Sequence, residues 1–209
     1  MTRKLKASEI PLLERTIFPD PFDQSKHWFE MAQVAGLSEP NAMTLATSTR
    51  EGKPSARMVL LKRYDDNGFV FFTNYTSRKG KELARNPYAA LVFWWDILQR
   101  QVRIEGKVEK TTIQESELYF ASRPRGSQLA TCASNQSAVI PSRGLLEKKW
   151  QELSEKYRSE KILKPPEWGG FRLMPVVFEF WQGRAHRLYD RLRFTLQKNR
   201  NWKIERLSP

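Results

Sequence analysis

The alternation of apolar and polar positions changes texture several times along this chain. Residues 1–20 mix Lys, Pro and isolated apolar side chains without a period and read as a loose arm ahead of a single domain over 21–209. From Asp23 to about Val34, Trp28, Phe29 and Met31 supply one apolar side and predict a helix. Beyond Pro40 the period shortens to two. Strands are predicted over 43–49 and 55–63 around a turn at 50–53, and Asp65-Asp66-Asn67-Gly68 is a hairpin signal leading into a strand over 69–74. Ser77 is a good cap for a short helix over 78–85, stopped before Pro87.

Two strands follow, over 89–95 and 100–110. Thr112 and Glu115 have capping-box spacing and open a helix that ends near Arg123-Pro124. A longer helix is expected over 143–158, broken after by Pro165-Pro166. The tail returns to strands over 171–174, 176–182, 187–196 and 202–207. Hairpin-joined strands with helices inserted between them predict an α+β protein built on an antiparallel barrel; strands and helices do not alternate as a doubly wound parallel sheet requires.

Composition narrows the chemistry. One cysteine (Cys132) and two histidines (His27, His186) leave no thiolate–imidazole set for a structural zinc and allow no intrachain disulfide, which suits a reducing, cytoplasmic setting. The longest purely apolar run, 89–95, has seven residues, far short of a bilayer span. No GxGxxG, GxxxxGK[ST] or HExxH occurs. Against 36 Lys+Arg stand 23 Asp+Glu, a net charge of +13. That excess fits either an anionic partner or a solvated basic surface.

Four constellations could carry chemistry. Thr76-Ser77-Arg78-Lys79 sits at a strand-to-helix junction, where free N–H groups, a hydroxyl and two cations could cradle a phosphate; the alternative is a plain cap with solvated cations. Arg57 and Lys62 flank the apolar stretch 58–61, and could mark two rims of a barrel or the charged ends of a strand buried on both sides. Tyr119 and Arg123, at i,i+4, precede Ser127 in a Gly-containing turn; the three suit a phosphate monoester, or Arg123 simply complements the helix dipole. In 187–191, a strand would place Arg187, Tyr189 and Arg191 on one face, with His186 turned to the other as a structural residue.

The run FEFWQGRAHRLYDR (178–191) closely resembles the signature of pyridoxine (pyridoxamine) 5′-phosphate oxidases. The resemblance extends from about Asn41 to the C-terminus through RMVLLK (57–62), FFTNYTSRKGKEL (71–83), RQVRIEG (100–106), YFASRPRGSQ (119–128), NQS (135–137), WGGFR (168–172) and ERLSP (205–209). It implies a split β-barrel homodimer with FMN at the subunit interface. By motif match, Arg57, Arg78 and Lys79 would take the flavin phosphate. Met58, Val59, Leu60, Leu61, Lys62, Phe72, Thr73, Gln101, Gln136, Ser137, Trp181 and Arg191 would complete the cofactor site, partly from the second subunit. Lys62, Tyr119, Arg123 and Ser127 would hold the substrate phosphate, and Arg187 and Tyr189 would act at the reacting centre.

Position 189 departs from the family, which usually has His there. Tyr keeps a planar ring and a hydrogen-bonding tip but cannot supply an imidazolium charge. The implied activity is oxidation of pyridoxine 5′-phosphate and pyridoxamine 5′-phosphate to pyridoxal 5′-phosphate, with O2 as acceptor and H2O2 as product. A related flavoprotein of phenazine biosynthesis and a non-catalytic FMN or pyridoxal-phosphate binder are the alternatives. No membrane partner is expected, and nucleic acid is disfavoured because no reader motif accompanies the charge.

Overall fold

The computed structural model describes residues 10–209. Residues 1–9 of the expected loose arm lie outside the described residues, and 10–20 are not loose. Leu12 and Ile17 are each 7% exposed and belong to the main core, so their apolar burial fixes the segment. Helix α1 (Pro21–Val34) starts earlier than its apolar side suggests. Asp20 caps it by accepting the Phe22 N–H, and Pro21 occupies the first turn, where no donor is needed.

Among the described residues, nine strands form one antiparallel sheet: β1 (Ala42–Ser48), β2 (Pro54–Leu60), β3 (Arg63–Asp65), β4 (Gly68–Asn74), β5 (Tyr88–Trp95), β6 (Arg100–Lys110), β7 (Trp168–Gln182), β8 (Asp190–Leu196) and β9 (Trp202–Arg206). Their order is β2-β1-β5-β6-β7-β4-β3, with β8 and β9 continuing from β7. The 15-residue β7 makes the curl possible. One edge pairs with β6, while the other pairs with β4 through 168–173 and with β8 through 177–182. This is the α+β split barrel that the sequence predicts.

Pro175 was expected to separate two strands, but β7 runs through it. The register with β6 steps from Glu105↔Val177 to Gly106↔Pro175, leaving Val176 as an extra residue. A bulge of this kind is where a sheet tolerates proline. Gly106 is required opposite it, because a Cβ there would collide with the Met174 carbonyl.

Inside the curl, Phe69, Phe71, Phe178, Phe180 and Phe194 are almost wholly buried. Each such ring contributes roughly 1.5–3 kcal/mol on burial. Trp28 of α1 meets Phe180 edge-on at 5.4 Å and carries the Arg100 guanidinium 4.4 Å above its own ring. A second cluster, centred on Phe120, Leu129, Ile162 and Trp168, binds helices α3 (Ile113–Ser122), α4 (Arg125–Ala133) and α5 (Arg143–Lys156) to the end of the sheet. The capping box of α3 forms as predicted. Helix α4 was not foreseen; it begins directly after Pro124 and turns the expected loop around Ser127 into a helical first turn.

Two further expectations fail. The stretch 58–61 is not buried on both sides: among the described residues β2 pairs only with β1, and Met58 is 62% exposed. The strand expected over 187–196 begins only at Asp190, because 185–187 form a 3-10 turn in which His186 and Arg187 have φ of +58° and +61°. Arg187, Tyr189 and Arg191 therefore do not share a strand face, and His186 is exposed rather than turned into the sheet.

Candidate functional site

A cleft of about 690 Å³ lies between the end of the sheet and α3–α4. Its lining includes Lys62, Tyr119, Arg123 and Ser127, together with Met58, Val59, Leu60, Phe72, Thr73 and Gln136. Local geometry explains each placement. Strand β2 ends at Leu60; the Leu61 N–H then bonds Asn41 O and the Lys62 N–H bonds Val70 O, so Lys62 sits where the chain crosses from β1 to β4. That crossing separates Lys62 from Arg57.

Arg123 caps the C-terminus of α3 in an extended conformation instead of continuing its helical face. Its guanidinium lies 4.8 Å from the Trp168 ring and donates to Thr131 Oγ1 at 2.7 Å. Tyr119 stacks on Phe72 at 4.0 Å, and Phe72 on Trp168 at 5.4 Å. At this helix end, where a cation also complements the dipole, Arg123 is held beside an aromatic wall. Burial lowers its pKa, partly offset by Tyr119 and Cys132. Thr131 and Trp168 are participants that residue spacing did not single out, although Trp168 stands within the WGGFR motif.

A second cleft, of about 750 Å³, opens at the start of α2 (Arg78–Arg85) and is lined in part by Thr76, Arg78, Glu82, Gln136 and Ser137. Ser77 caps the helix through the Gly80 N–H, and the first turn contains no acid. The three expected phosphate cations are not equivalent here. Glu82 accepts from Thr47 (2.5 Å), Ser55 (2.6 Å) and Arg78 Nε (2.9 Å), with Arg57 at 3.4 Å. Burial pushes the Glu82 carboxyl up, but those hydrogen bonds and the Arg57 charge prevail and hold it at about 2. Glu82 was not anticipated, and its i,i+4 spacing from Arg78 was the available signal.

Lys79 differs. It is 8% exposed, and its ammonium donates only to neutral oxygens, Thr73 Oγ1 at 3.2 Å and Gln136 Oε1 at 2.9 Å. Burial, then the Arg57 charge, lowers its pKa to about 8. No carboxylate pairs with it among the described residues. A buried cation in this state gains from an incoming anion, so the donor set at this helix start fits a phosphate. Gln136 lines both clefts and also accepts the Thr73 hydroxyl at 2.8 Å.

Gln101, Trp181 and Arg191 line neither cleft. They stand in register across β6, β7 and β8, Gln101 opposite Trp181 and Trp181 opposite Arg191. Arg191 donates to Glu179 Oε1 at 2.9 Å and to Ser208 O at 2.9 Å. Tyr189 packs on Trp181 with ring centroids 4.6 Å apart, and Trp94 approaches Trp181 edge-on at 5.8 Å. Trp94 is 50% exposed, so this aromatic row is open at the surface of the single chain.

A curled antiparallel sheet with an anion-ready helix start and a cation-lined cleft defines a split-barrel protein equipped for phosphorylated ligands. Residues 29–157 match the family model described as pyridoxamine 5′-phosphate oxidase, and 168–209 match the pyridoxine 5′-phosphate oxidase C-terminal dimerisation region. The chain belongs to the pyridoxine/pyridoxamine 5′-phosphate oxidase family. It is 59% identical over 198 residues to a pyridoxine/pyridoxamine 5′-phosphate oxidase of Nostoc sp., covering 95% of this chain and 92% of the relative. It is 54% identical over 202 residues to the chloroplastic pyridoxine/pyridoxamine 5′-phosphate oxidase 1 of Arabidopsis thaliana, covering 95% of this chain and 38% of that longer protein. Among solved structures it resembles PhzG of Burkholderia lata in complex with tetrahydrophenazine-1-carboxylic acid, at TM-score 0.91 and 31% identity, over 97% of this chain and 100% of that one. Among the described residues, no helix is long and apolar enough to cross a membrane.

Proposed function

We propose that the protein is a homodimeric, FMN-dependent oxidase of pyridoxine 5′-phosphate and pyridoxamine 5′-phosphate. The alcohol with O2 gives pyridoxal 5′-phosphate and H2O2; the amine with O2 and water gives the same products plus ammonia. The observation that carries the reading is the gathering of Lys62, Tyr119, Arg123 and Ser127 in one cleft beside Phe72 and Thr73. Two cations and two hydroxyls suit a phosphate monoester, which favours this substrate class over a phenazine precursor. The closer sequence likeness to the oxidases, 54–59% against 31% for PhzG, supports the same choice.

Lys79, with Arg78 and Arg57 beside it, would hold the flavin phosphate. Residues 57–62, Phe72, Thr73, Gln136 and Ser137 would line the cofactor from one protomer, and Gln101, Trp181 and Arg191 from the other. When bound, FMN supplies the acceptor for the hydride leaving C4′ of the substrate. The chain's part is placement. Anchoring the substrate phosphate away from C4′ turns binding energy into alignment of the reacting carbon. Arg187 would lie over the pyridine ring and stabilise developing charge, and Tyr189, braced by Trp181, would orient the substrate through its hydroxyl. A single domain that takes in residues 10–20 as well as 21–209, and a cytoplasmic setting, belong to the same proposal.

An anaerobic spectrum of the FMN-loaded protein tests the reading. Pyridoxine 5′-phosphate should bleach the flavin band, and air should restore it with release of pyridoxal 5′-phosphate. A flavin that stays oxidised would remove this substrate and leave a binder or a different oxidase.

A further inference from the structure

The loop between β7 and β8 presents Arg187 and Tyr189, and its backbone is strained. His186 and Arg187 hold positive φ in succession. Such a conformation persists only where its surroundings over-determine it. At the β7 end, the Gly183 N–H bonds Gln99 O at 2.8 Å. At the β8 end stands Asp190, whose side chain is 16% exposed.

Asp190 Oδ1 accepts from Arg206 Nη1 at 2.9 Å, and its Oδ2 accepts the Leu12 N–H at 3.1 Å. Arg184 reaches Asp190 across the loop at 3.5 Å. Arg206 meanwhile grips Glu14 with two bonds of 2.8 Å and donates to Leu12 O at 2.8 Å. Residues 12–14 are thus stitched to positions 178 and 192 residues further along the chain. Leu12 and Ile17, sunk in the core, hold the segment in place.

We propose that Glu14, Arg206 and Asp190 form a positioning clamp, in which the segment ahead of α1 fixes the loop that offers Arg187 and Tyr189 to the substrate. The role given to those two residues is the one argued under Proposed function; the clamp itself stands on the contacts above. An isolated exposed ion pair holds little. Here a two-pronged Arg–Glu pair, a backbone carbonyl and a half-buried carboxylate converge on one guanidinium, and networks of that geometry are the exception. Glu14, Arg206 and Asp190 act through the loop and are positioning residues.

The test is amide exchange in the FMN-loaded dimer together with steady-state kinetics. Glu14→Gln should speed exchange across residues 184–189 by about tenfold while α1 and β6 keep their protection. It should lower kcat by about tenfold and leave KM within about twofold, because the phosphate anchors are untouched. Arg206→Gln should do the same, and the double variant little more, since both remove one network. Glu147→Gln, which removes an exposed pair with Arg143 on α5, should leave all of these unchanged.

Exchange over 184–189 equal to wild type in both single variants, with only a lower melting temperature, would overturn the clamp and reduce it to a staple. A wild type that never oxidises the substrate would instead defeat the catalytic reading of the loop. The exchange data would then decide the clamp alone.

Discussion

Lys62, Tyr119, Arg123 and Ser127 come together within one chain from a strand crossing, a helix, its C-cap and the first turn of the next helix. Gln101, Trp181 and Arg191 stand instead in one row across three neighbouring strands, and line no part of that cleft. The first group depends on where elements stop. The second depends on register, which the bulge at Val176 and the aromatic interior of β7 hold fixed. On the proposed function, a cofactor that uses both groups would lie between two chains. In the proposed dimer, the exposed Met58 on the open edge strand and the exposed Trp94 beside Trp181 would be covered where the two halves of the site meet.

The strongest way to break this comparison is to remove an anchor from the first region. Arg123→Ala leaves Lys62 and the hydroxyls without their guanidinium and should lower kcat/KM for pyridoxine 5′-phosphate by roughly 10²-fold, the scale of one lost charge-assisted bond pair. FMN content, which the proposed function assigns to Lys79 and the strand row, should change little. Loss of FMN together with activity would show that the two regions are not separable.

A smaller effect belongs to Glu82, which ties Arg57 and Arg78 to the sheet. Its folded pKa of about 2 lies below the ordinary 4.5, so the network's contribution is complete above about pH 4.5 and fades as pH falls toward 2. Glu82→Gln should cost on the order of 2 kcal/mol at pH 7 and flatten the loss of stability between pH 5 and pH 2. Thermal melts across that range in both proteins measure it. Parallel curves would remove Glu82 from the account.

Much of this was legible beforehand. Ser77, Thr112 and Glu115 announced their helices because capping is local chemistry; alternation marked β1, and the Asp65–Gly68 turn signal marked the start of β4. What escaped depended on distant partners. Pro175 reads as a breaker until Gly106 on the facing strand accommodates the bulge. The 187–191 segment alternates like a strand, yet His186 and Arg187 are left-handed, beside an Asp190 whose contacts reach back to Leu12 and, through Arg206, to Glu14. Glu82 was not singled out, because only the fold brings Thr47, Ser55 and Arg57 onto it.

The claim that each site is shared between two chains is tested most directly by subunit mixing. Arg123→Ala and Arg191→Ala, each expected to keep no more than about a hundredth of wild-type kcat/KM alone, are co-refolded with FMN and assayed at low substrate. Random pairing makes half of the dimers mixed, and each mixed dimer carries one site in which both arginines are native. Activity should therefore return to about one quarter of wild type. Recovery near zero, with mixed dimers demonstrably present, would place both arginines in the same chain's site and contradict the account.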